Sequence, residues 1–102
     1  MTESPSQSSS VDRLLALIEQ AAGGGVAPEA FVHELRQAHE AVERAGRPAY
    51  HSKAEARLIW DMLWAIEFYS PDPSRELNPD EWNDGAAILA EARRVAGRLQ
   101  EL

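Results

Sequence analysis

The sequence predicts an all-α protein, an antiparallel up-down four-helix bundle. Three observations lead there. Apolar residues recur at helical spacing in four separate stretches. Glycine or proline interrupts the chain between those stretches. No stretch alternates apolar and polar residues as a half-buried strand does. Short connections between amphipathic helices make consecutive helices antiparallel neighbours.

The opening MTESPSQSSS is polar and Ser-rich and reads as a flexible tail before one domain at 11–102. The first helix is expected from Val11 to Ala22, with Ser10 as N-cap and Asp12 at the positive end of the helix dipole. Val11, Leu14, Leu15, Ile18 and Ala22 share one face, and Gly23-Gly24-Gly25 stops the helix. The second helix is expected from Pro28 to Ala45. Pro28 suits the first position, where its missing N–H is not needed, and Gly46 marks the end, with Pro48 soon after. Its apolar seam is narrow: Phe31, Leu35, Ala38, Val42 and Ala45.

The third helix is expected from Ser52 or Lys53 to Tyr69, opened by a Ser52/Glu55 capping box. Leu58, Ile59, Met62, Leu63, Ile66 and Tyr69 share a wide arc at about 100° per residue. Trp60, Trp64 and Phe68 form a second stripe beside Asp61 and Glu67. Pro71 and Pro73 end the helix, with Asp72 favouring a turn. The fourth helix is expected after Asn78 as cap, with Pro79 first and Asp80 and Glu81 meeting the dipole. Trp82, Ile88, Leu89, Ala92, Val95, Ala96 and Leu99 are its expected buried face.

The chain has 102 residues, enough for one core, and a formal charge of −7. That charge disfavours nucleic acid and anionic membranes and favours a basic partner. Cysteine is absent, so no disulfide framework or thiolate metal site is possible, which fits a cytoplasmic protein. The first residues lack the basic start and apolar stretch of a signal peptide. No apolar run approaches the roughly 20 residues that span a bilayer. The acids are unevenly placed: from Asp61 to Asp84 seven carboxylates face only Arg75. Solubility alone does not require that concentration.

Chemistry-bearing patterns are few. His33-Glu34 and His39 resemble a zinc helix, but the second His of that motif belongs at i+4, where Gln37 stands. The Gly-rich run has no Lys-Ser/Thr of a phosphate loop. No constellation points to nucleophilic or paired-carboxylate catalysis, so no enzyme, metal or cofactor is expected. The Trp60/Trp64/Phe68 stripe is read in two ways: as core of a widely buried helix, or as an aromatic patch for an Arg- and Lys-rich partner. Turn and capping chemistry accounts for Asp72, Asp80 and Glu81; it leaves Asp61, Glu67, Glu76 and Asp84 unexplained.

The segment IWDMLWAIEFYSPDP, from Ile59 to Pro73, resembles the centre of the colicin D-type immunity proteins. Its most specific part is Glu67-Phe68-Tyr69-Ser70-Pro71-Asp72-Pro73, an acid-ended apolar helix, a Tyr and an Asp-Pro turn. The order of elements over residues 11–102 is similar, including Ala30-Phe31 near the start of the second helix. The three tryptophans depart from the family pattern, as does Glu67 in place of Asp. The resemblance implies a non-catalytic four-helix bundle that covers the active site of a co-produced nuclease toxin. Its acidic surface would take the place of RNA phosphates.

The expected function is therefore that of an immunity protein that blocks a basic, RNA-cleaving toxin domain. The expected toxin-binding surface is Asp61, Glu67, Asp72, Glu76, Asp80 and Asp84, with Trp64 or Tyr69 as apolar anchor. A monomer or weak homodimer is expected. The competing reading is a helical module that self-associates through Trp60, Trp64 and Phe68. A small enzyme or ligand carrier is a third, without a constellation to support it.

Overall fold

The structure, a computed structural model, describes residues 5–46 and 49–102, with side chains from Val11 onward. Among the described residues there are four α-helices: α1 Pro5–Ala22, α2 Pro28–Arg44, α3 Lys53–Glu67 and α4 Gly85–Gln100. Two single 3-10 turns, Pro73–Arg75 and Pro79–Glu81, lie between α3 and α4. The described residues contain no strand, only an isolated parallel bridge between Tyr69 and Asn83.

Two helix starts differ from expectation. α1 begins at Pro5, so Ser10 lies inside it rather than capping it, and the expected tail overlaps the helix. α4 begins at Gly85, not at Pro79. Asp84 is its N-cap and accepts from Ala87 N–H at 2.9 Å. Pro79-Asp80-Glu81 instead forms one 3-10 turn, and Asn78 makes no side-chain cap there. Trp82 then adopts extended backbone and breaks the helix off.

The helix ends follow local chemistry. At the end of α1, Gly25 N–H reaches Gln20 C=O and Gly24 N–H reaches Ala21 C=O, with Gly24 at φ +81°. This is a Schellman stop; of the three glycines only Gly24 needs the left-handed backbone. Gly46, at φ +91°, ends α2 in the same region of backbone space, while Pro48 lies outside the described residues. Ser52 caps α3 through Glu55 N–H at 3.0 Å. Glu55 completes the box one residue further back, accepting from His51 N–H at 2.8 Å.

One core holds the helices. α1 contributes Leu14, Leu17, Ile18 and Ala21; α2 Phe31, Val32, Leu35 and Val42; α3 Ile59, Met62, Leu63 and Ile66; α4 Ile88, Ala92, Val95 and Ala96. Leu15, Ala22, Leu89 and Leu99, expected inside, sit at its margin, and Ala45 is exposed. α4 packs broadly on α1 and α3, and α1 on α2, whereas α2 and α3 touch over little of their length. The first turns of α2 and α4 approach closely: a Cβ on Gly85 would stand 2.8 Å from the Pro28 ring.

His51 ties the start of α3 to α1. Its Nδ1 lies 2.9 Å from Glu55, which is buried, and its Nε2 is 4.0 Å from Asp12 on α1. Glu55, by hydrogen bond and charge, raises the imidazole above its ordinary pKa, with a smaller contribution from Asp12. A raised folded-state pKa means that the protonated ring stabilises the fold below the unfolded-state value. That stabilisation is lost as pH rises through the folded-state value. The stability difference between the wild type and His51→Gln is therefore expected to shrink as pH rises from about 5 to about 8, the range in which histidine titrates. Urea titrations of both proteins across that range check it, and a difference that is flat or grows contradicts it.

Candidate aromatic and acidic docking face

Two of the three tryptophans stand out in solvent. Trp60 is 48% exposed and Trp64 66% exposed, on a helix whose opposite arc is fully buried. The spacing i, i+4 places both on one stripe of α3, directed away from the core residues Ile59, Met62 and Ile66. The core reading of that stripe therefore fails for Trp60 and Trp64. Phe68 is half-buried and links Trp64 to Trp82 through edge-on contacts, with centroids 5.4 and 5.9 Å apart. Such rings stiffen one another and are held ready without a large ordering cost.

Trp64 is a ridge with a groove on either side. On the α2 side, Arg36, His39, Glu40 and Glu43 face Trp60, Trp64 and Glu67. On the α4 side, Asp61, Asn83, Glu91 and Arg94 line a second recess. The first groove exists because α2 turns a polar ridge toward α3. Charged heads at 36, 40 and 43 are not dehydrated without partners, so the two helices stay apart there. Arg36 makes the main crossing, donating to Ile66 C=O at 2.8 Å in the last turn of α3. His39 sets its ring edge-on to Trp60, 5.1 Å between centroids.

The acids expected to form one surface divide into several duties. Asp61 pairs with Arg94 at 3.3 Å, and Arg94 is held in turn by Glu91 at 2.6 Å. Asp72 caps the first 3-10 turn, accepting from Ser74 Oγ at 2.6 Å and Ser74 N–H at 3.3 Å. Glu76 accepts from Ser70 Oγ at 2.8 Å. Asp84 caps α4. Glu67 and Asp80 are exposed and form no side-chain hydrogen bond or ion pair among the described residues. Asp61 and Glu67 line opposite sides of the Trp64 ridge. Tyr69, expected as an anchor, is half-buried and engaged in the bridge to Asn83; burial, then the charge of Glu29, raises its phenol pKa.

The linker from Tyr69 to Asp84 is pinned rather than loose. Ser70 N–H donates to Asn83 C=O at 2.9 Å, Asn83 N–H to Phe68 C=O at 2.7 Å, and Asn83 Nδ2 to Ala65 C=O at 3.0 Å. Ser70, only 2% exposed, accepts from Asp72 N–H at 3.2 Å while its hydroxyl donates to Glu76. Removing this hydroxyl leaves two groups without their partner. Ser70→Ala is expected to cost about 1–3 kcal/mol in urea denaturation, and a loss below about 0.5 kcal/mol would contradict the pinning role.

Glu40 and Glu43 are the residues that sequence reasoning missed. They lie on a different helix from the Trp stripe, and only the α2–α3 register brings them opposite it. Among the described residues no group of three or more His, Cys, Asp or Glu side chains is arranged to hold a metal ion. No described helix is long and apolar enough to cross a membrane. Compared with protein-family models, curated proteins and solved structures, the chain matches none.

Proposed function

We propose that this chain is a non-catalytic binding protein that covers a basic protein surface, in the manner of an immunity protein shielding a toxin domain in the cytoplasm. One observation carries the reading: Trp60 and Trp64 stand exposed between Glu40, Glu43 and Glu67. Large rigid aromatics at the centre of a face, with charge around them, are the make-up of interface hot spots. Carboxylates beside them select a cationic partner and speed its approach. The acidic linker adds to the same long-range field even where its acids serve as caps. In this reading the helices run up and down as an antiparallel bundle, the free protein is a monomer, and neither nucleic acid nor membrane is bound.

Self-association through the same tryptophans is the competing use of the face. A two-fold contact there would bring Glu40, Glu43 and Glu67 toward their own copies, a repulsion that a basic partner relieves. The test is capture by the immobilised protein from lysate of its source cells, at low and moderate salt, followed by titration of the purified partner. A basic protein bound one to one, inhibited on binding and weakened by salt, is the expected result. Recovery of the chain alone, with a concentration-dependent and salt-insensitive mass in sedimentation, would replace this reading with self-association.

A further inference from the structure

We propose that the groove between α2 and α3 is a receptor for an arginine side chain projected by the partner, a step that rests on the partner being a basic protein. The groove has two unlike walls. One is aromatic, formed by Trp60 and Trp64 of α3; the other carries Glu40 and Glu43 of α2, with Glu67 at its α3 end. A guanidinium satisfies both at once: its plane stacks on an indole while its edge donates paired hydrogen bonds to a carboxylate.

The charge of the groove is not balanced from within. Three carboxylates stand against one cation, Arg36, which donates to Ile66 C=O at the end of α3 and keeps its charge. Glu43 has only His39, with Nε2 at 3.8 Å, beyond hydrogen-bond reach. Glu40 and Glu67 have no ion-pair partner among the described residues. An apolar occupant would dehydrate these carboxylates without pairing them, and an anion would be repelled. A lysine ammonium meets the charge but is a strongly hydrated point that cannot form the planar fork. The occupant of matching chemistry is therefore arginine.

The test uses the full chain and two alanine-based helical peptides of equal charge, one bearing arginines and one bearing lysines at the same positions. Binding is followed by tryptophan fluorescence at low salt. The arginine peptide is expected to bind about tenfold tighter. Trp64→Ala and Glu43→Gln should each remove most of that preference, while Glu101→Gln, which deletes a charge at the far end of α4, should leave it. Equal affinity for the two peptides, lowered alike by Glu43→Gln and Glu101→Gln, would overturn the arginine receptor and leave general docking of basic proteins standing. Binding of neither peptide would overturn both.

Discussion

Phe31→Ala is expected to cost about 3–5 kcal/mol, the largest loss of any single truncation here. Phe31 is 1% exposed and the bulkiest of the fully enclosed side chains. It sits in the first turn of α2, where the polypeptide has just left the Gly-rich stop, and α2 owes its place to a narrow seam. Val32, Leu35 and Val42 are its only other buried residues, so no neighbour on α2 can take over the work of the ring. A domain of this size has about 5–15 kcal/mol of total stability, which leaves the variant marginal at room temperature. Phe31→Leu, which keeps most of the volume, should cost less than about 1.5 kcal/mol. Leu77→Ala is the control: Leu77 is 93% exposed, and its loss should change little. Urea midpoints at unchanged slope measure all three. A Phe31→Ala loss below about 1 kcal/mol would mean that α2 is held by something other than this core.

The helical class, the limits of α2, the N-cap of α3 and most of the core face of each helix were legible in the sequence, because each depends on spacing within one helix. The start of α4 was not. Asn-Pro-Asp-Glu suits a helix start, and the same residues suit a single 3-10 turn. What decides between them is distant in sequence. Asn83 is drawn to Phe68 and Ser70, so Trp82 runs extended, and the helix restarts at the next capping side chain, Asp84. Ser10 differs: it is a good cap residue, yet it marks no boundary, because the chain is already helical from Pro5.

The acidic site was legible in composition and not in arrangement. The excess of carboxylates between Asp61 and Asp84 is plain in the composition, but several of them serve the backbone or a neighbouring side chain. Asp72→Ala or Asp84→Ala should therefore register first as lost stability. Glu40 and Glu43 lie in a stretch of near-balanced charge, where nothing in the sequence marks them. What sets them apart is that they face two indoles across a gap that α2 and α3 fail to close.

Trp60 and Trp64 should separate binding from folding. A ring left about half or more in water contributes little to the core, so truncating either to alanine is expected to change stability by less than about 1 kcal/mol. Trp60 should show the larger share of that, because His39 loses its edge contact. For a basic partner docked on this face, removing one central tryptophan should cost about 2–4 kcal/mol, roughly 30- to 1000-fold in Kd. The double variant should abolish capture while remaining folded. Salt gives the complementary signature. The tryptophan variants should lose affinity at every ionic strength, chiefly through faster dissociation, whereas Glu67→Gln should slow association and flatten the salt dependence. If Trp64→Ala unfolds the protein, the ring belongs to the core. If it binds the partner undiminished, the docking face lies elsewhere on the bundle, and the exposed pair on α3 needs another explanation.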